Sequence, residues 1–92
     1  MITSKPCTYA KVTQAAAATV KATRGEFYGV LVISSTNGVV TVKDGGASGT
    51  TVYVSGTLSA GQVIVFGGCG VLCDNDIYVS IANTAEVTVL YI

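Results

Sequence analysis

Between residues 28 and 45 the chain reads YGVLVISSTNGVVTVKDG, two runs rich in Val and Ile separated by Asn37-Gly38. Asn-Gly in that position predicts a β-hairpin, because a two-residue type I′ turn needs φ > 0 at both central residues and these two tolerate it. Residues 30–33 are continuously apolar, as in a strand covered on both faces. Val40 and Val42 alternate with Thr41 and Lys43, as in a strand covered on one.

The same punctuation continues downstream. Residues 51–58, 62–66, 71–73, 77–81 and 86–92 read as strands, set apart by Gly-, Ser- and Asn-rich turns that include Asp74-Asn75-Asp76 and Asn83-Thr84. Gly67, Gly68 and Gly70 around Cys69 suggest a bulge or corner. Upstream, residues 1–8 hold the only proline, Pro6, and read as an extended arm. Residues 9–23 mix alanines with β-branched Thr and Val, and predict two short strands with a bend in the alanines. About eight short strands at near-regular spacing point to a single all-β domain over residues 1–92, an antiparallel β-sandwich or jelly-roll-like barrel.

Composition adds a constraint on the surface. Half of the 92 residues are hydrophobic and only 11% are charged, against about 25% in ordinary soluble domains. So small a chain with so little charge cannot cover itself with polar groups, and part of its apolar surplus is expected to meet another protein. No apolar run approaches the roughly 18 residues of a membrane span, and the first residues, MITSKPCTYAKVTQ, lack the apolar core of a secretory signal. Synthesis and folding in a cytoplasm are the simplest expectation.

The zero net charge hides a division. Lys5, Lys11, Lys21 and Arg24 precede Gly25 with no acid among them, giving +4, whereas Lys43 against five acids leaves −4 in the remainder. Such polarity can orient a module on a neighbour of opposite sign, and it also suits solvated strand faces. No basic cluster is dense enough for nucleic acid.

Candidate chemistry is sparse. With no histidine, Ser-His and Cys-His activation are excluded within one chain, and the five acids sit at turns or strand ends, so neither an enzyme nor a cofactor is expected. Cys7, Cys69 and Cys73 lack CxxC spacing and read as buried or free thiols, with a bridge formed after release from a reducing cytoplasm as the other reading. Asp74-Asn75-Asp76 opens like a calcium loop, but Val79 and Ala85 stand where glycine and glutamate would be needed. An Asx turn is favoured over a weak calcium site shared between loops. Residues 45–49, GGASG, lack the lysine of a phosphate loop and form a turn. The five tyrosines, one per strand and without Trp, suit core edges and interfaces better than a sugar platform.

Taken in order, residues 29–32 (GVLV), 39–45 (VVTVKDG), the Gly49-Thr50-Thr51 turn, residues 70–79 (GVLCDNDIYV) and 85–91 (AEVTVLY) resemble small β-rich virion structural proteins of tailed bacteriophages. There, a strand ending in Asp-Gly, a Gly-Thr turn and a closing V-T-V-x-Y strand recur. The resemblance spans about residues 28–92 and implies a decoration (cement) protein on the capsid surface, assembled as a homo-oligomer, expected to be a trimer, against the major capsid protein. Neither nucleic acid nor membrane is an expected partner. In decoration proteins the N-terminal arm often anchors to the shell, which gives residues 1–24 that expected role. Candidate interface residues are then Lys5, Lys11, Lys21 and Arg24 of the basic segment, and Val63, Val65, Phe66 and Tyr91 of the apolar strands. A head–tail connector, tail or baseplate component is the nearest alternative, and a soluble sugar- or calcium-binding module is one of another class.

Overall fold

Two long strands carry the fold of the computed structural model, which describes residues 7–13, 16–66 and 70–92. In chain order the strands are β1 (Thr8–Thr13), β2 (Ala17–Lys21), β3 (Gly25–Asp44), β4 (Thr50–Thr57), β5 (Val63–Val65), β6 (Val71–Cys73) and β7 (Ile77–Tyr91), with one short 3-10 turn at Gly46–Ser48. They form a single antiparallel sheet in which β3 and β7 pair from Phe27 opposite Tyr91 to Lys43 opposite Tyr78. The all-β, antiparallel expectation is met, but by seven described strands in one continuous sheet, two of them long.

Asn37-Gly38 does not reverse the chain. Asn37 is left-handed at φ 56, but Gly38 is not, so the type I′ turn that needs both does not form. Thr36 and Asn37 both stand opposite Thr84, a bulge that bends β3 and lets it run on. Asn83, at φ 63, makes the matching bend in β7, so the expected turn at Asn83-Thr84 is likewise a bend within a strand. The two bends are tied, since the Asn83 side-chain amide donates to the Asn37 carbonyl at 2.8 Å. Local turn chemistry lost to tertiary pairing because each half of β3 gains a long partner in β7 and keeps its ladder bonds.

Those bends fold the sheet onto itself. Phe27 and Val42 are separated along β3 by a stretch that would span about 50 Å at about 3.3 Å per residue. Yet the Phe27 ring lies 5.6 Å from that of Tyr53, the residue opposite Val42 on β4. One half of the sheet therefore comprises β1, the C-terminal half of β7, the N-terminal half of β3, and β5 and β6 along its edge. The other comprises β2, the rest of β7 and β3, and β4. Their inner faces enclose the core. On β7 it is lined by Ile77, Val79, Ile81, Ala85, Val87 and Val89, all buried, with half-buried or exposed residues between them. Phe27, Tyr53 and Phe66 close the open end as a triangle of rings 5.5–5.6 Å apart.

Along β3 the buried positions change phase, from Gly25 and Phe27 to Val30, Val32, Val40 and Val42. The shift occurs at Gly29, φ +153, where the ladder with β7 slips and a Cβ would run into the Ile64 carbonyl of β5. Glycine is needed there twice over, for its backbone angle and for the closeness of the neighbouring strand.

The two short strands expected between residues 9 and 23 are present as β1 and β2. They pair with opposite ends of β7, with Val12 buried. Within the segment expected to anchor to the shell, Thr8–Thr13 and Ala17–Lys21 thus belong to this chain's own sheet. Their side of β7 would otherwise be an open edge, and they satisfy it. Lys5, Pro6 and the Cys69 corner lie outside the described residues.

Candidate assembly surface

Alternation along paired strands turns every second residue outward, and the register shows which outward residues become neighbours. Leu31 of β3 lies opposite Val63 of β5 and Thr88 of β7, and Thr88 lies opposite Lys11 of β1. One row along, Gly29 lies between Val65 and Leu90, and Leu90 lies opposite Tyr9. Val30 and Val89 between these rows, and Val12 and Val87 one row beyond the first, are buried, so the side chains of both rows face out. Ile33 continues the face beyond Leu31, and Leu72, opposite Glu26, continues it at the other end.

Among the described residues six large hydrophobics are exposed: Tyr9, Ile33, Val54, Val63, Val65 and Leu72. All but Val54 belong to this one outer face, where Tyr9 is 67%, Val63 64% and Val65 53% exposed. The opposite outer face is of another kind, with Thr41 beside Ser80 and Lys43 beside Tyr78. The two sides of the folded sheet thus divide the surface into one apolar and one polar face.

Two charges of the N-terminal segment, those of Lys11 and Arg24, are met within the chain. Lys11 Nζ lies 2.8 Å from Glu86 Oε2 on the apolar face itself, and the hydrogen bond and attraction of that carboxylate raise the lysine pKa above its ordinary value. Arg24 Nε lies 3.8 Å from Asp74 Oδ1, both side chains well exposed. Such exposed, solvent-screened pairs add little to stability. Their consequence is electrostatic, since the +4/−4 division along the sequence folds back on itself and leaves no strong single-sign field at Lys11 or Arg24.

The Asp-rich turn is closed by its own hydrogen bonds. The Asp44 carboxylate accepts the backbone N–H groups of Asn75 at 2.8 Å, Asp74 at 2.9 Å and Asp76 at 3.4 Å. Asp76 Oδ1 in turn accepts those of Gly45 at 2.8 Å and Gly46 at 3.0 Å. The N–H groups of Asn75 and Asp74 hold the Asp44 carboxyl below its ordinary pKa. This is a reciprocal clamp between two turns, and among the described residues no cluster of His, Cys, Asp or Glu is placed to hold a metal ion. Beside it Cys73 is buried, its thiol pKa pushed up by burial and by Asp44, Asp76 and Asp74.

Of the residues singled out in the sequence, Val63, Val65 and Lys11 come together on the apolar face. Lys21 ends β2 and Arg24 lies in the bend that follows, away from that group. Phe66 and Tyr91 turn toward the core and are half-buried against it. Tyr9, Leu31, Ile33, Leu72 and Leu90 were not singled out, although they complete the face. Outward apolar residues carry no local signal of their own, and only the register of four strands assembles them.

No protein-family model, curated protein or solved structure matches this chain.

Proposed function

We propose that this chain is a structural protein of a tailed-phage virion, a decoration (cement) protein that sits on the capsid surface with the major capsid protein and further copies of itself as partners. The observation that supports this most directly is the apolar outer face around Leu31, Val63 and Val65, opposite a polar one. An apolar patch of that kind marks a surface that another protein covers. The resemblance of residues 28–92 to β-rich virion proteins supports the same reading. Mechanically, many small apolar and strand contacts repeated over a shell raise the energy needed to separate neighbouring capsomers under the pressure of packaged DNA.

Quantitative densitometry of purified particles tests this. A copy number comparable with that of the shell subunit is expected. A number set by the symmetry of a neck or tail would place the same fold in a connector or tail instead, and absence from particles would overturn the virion reading.

A further inference from the structure

We propose that the apolar outer face is covered by the same face of a second copy, so that two chains pair sheet on sheet about a two-fold axis. This deepens the reading of that face as an assembly surface and rests on it.

The face is continuous across five strands, from β5 and β6, which follow one another along the edge of β3, through β3 and β7 to β1. From the level of Leu72 to that of Ile33, at about 3.3 Å per residue and about 4.8 Å per strand, it covers roughly 450 Å² in projection. Two such faces bury roughly 900 Å², close to the about 1,000 Å² that separates specific contacts from incidental ones. An area of that size suits an association weaker than an obligate dimer.

Charge points to the same occupant. Among the described residues the ionised groups on this face are Lys11 and Glu86, paired at 2.8 Å, together with Glu26, which accepts the Tyr28 hydroxyl at 2.9 Å near the β6 edge. A strongly charged partner finds little field here to match. A copy turned by a two-fold axis brings one cation and one anion to each Lys11–Glu86 pair, and can set them in opposite order.

Geometry favours two copies over three. A ring of three needs two different complementary patches on each chain, whereas a two-fold contact uses one patch twice. Outside this face the exposed large hydrophobics of the described residues reduce to Val54. Sheets stacked face to face pack about 10 Å apart, a spacing that the Val, Leu and Ile side chains of this face can fill.

Sedimentation equilibrium on the full chain, with the wild type and the variants Val63→Lys, Ile33→Lys and Val54→Lys, tests the pairing. The wild type should show a species of twice the 9.3 kDa chain mass. Val63→Lys and Ile33→Lys should each weaken dimerisation at least tenfold, and Val54→Lys, on the other half, should leave it unchanged. All three positions are solvent-facing, and circular dichroism melting checks that each variant folds. A wild type that stays monomeric at high micromolar concentration, a trimeric mass, or equal loss in Val54→Lys would overturn the proposal.

Particle incorporation of Val63→Lys separates this from the virion reading. A monomeric wild type whose Val63→Lys variant fails to enter particles would show that the shell covers the face, which overturns the pairing alone. A dimer sensitive to Val63→Lys but absent from particles would uphold the pairing and remove the virion role.

Discussion

The side-chain amide of Asn83 donates to the backbone carbonyl of Asn37 at 2.8 Å, joining the two left-handed residues at which β7 and β3 bend. Residues 46 positions apart in the chain thus share one corner, and around it the sheet folds into two facing halves. Asn83→Ala loses both this bond and the tolerance of asparagine for φ 63. It should cost about 1–3 kcal/mol in urea unfolding. Asn83→Gly, which keeps the backbone conformation and loses only the bond, should cost less. Equal stability of all three proteins would show that the corner is held by the ladder alone.

Gly38 and Gly29 are required by closeness. A Cβ at Gly38 would sit 2.9 Å from the Thr84 carbonyl, and one at Gly29 would run into the Ile64 carbonyl. Gly38→Ala and Gly29→Ala should each destabilise by about 1–3 kcal/mol through overpacking. Gly29→Ala should in addition raise amide exchange in β5, whose strand partner among the described residues is β3. At Gly61, φ +80, the space is open, so alanine there meets only backbone strain of about 1–2 kcal/mol. A Gly38→Ala protein melting with the wild type would mean that the β3–β7 approach is looser than described.

The Asp44 clamp has a definite acid signature. Its folded-state pKa lies below the ordinary 3.8 of an aspartate carboxyl, so the contribution to stability is present above that value and is lost as pH falls through it toward the folded pKa. The melting temperature should therefore fall as pH drops below about 4–5, and Asp44→Asn should flatten that limb while lowering the temperature at neutral pH. Unchanged acid dependence in Asp44→Asn would move the titrating group elsewhere. The backbone amides of Asp74 and Asn75 should exchange faster in the variant, since their acceptor carries less charge.

The cysteines should differ in reactivity. Cys7 is exposed, whereas Cys73 is fully buried with its thiol pKa raised by burial and the nearby carboxylates, so little thiolate is presented to reagent. Iodoacetamide at neutral pH should label the Cys7 peptide and spare the Cys73 peptide until denaturant is added, as read by peptide mass mapping. Labelling of Cys73 at the rate of Cys7 in the folded protein would show that the β6 edge opens readily.

Much of this protein was legible from residues alone. Alternation of Val with Thr and Lys over residues 39–43 marked a strand with one buried face, and Val40 and Val42 are buried. The β-branched content around the alanines marked the short strands β1 and β2, and Asp44-Gly45 marked the turn where Gly45 and Gly46 take positive φ. The apolar surplus called for an outward apolar surface. All of these are local or compositional, and tertiary pairing left them standing.

Tertiary structure decided what Asn37, Asn83 and the outward valines do. An asparagine that tolerates φ > 0 serves equally in a two-residue turn and in a bulge, and the choice depends on whether the chain ahead finds a better ladder than the chain behind. Here β7, far along the sequence, offers β3 pairing along almost its full length, and a local hairpin would forfeit it. Likewise Tyr9, Leu31, Val63 and Leu90 belong to four separate strands and become one face only through register. Composition required that such a face exist, and the hydrogen-bonded order β1-β7-β3 with β5 at its edge decided where it lies.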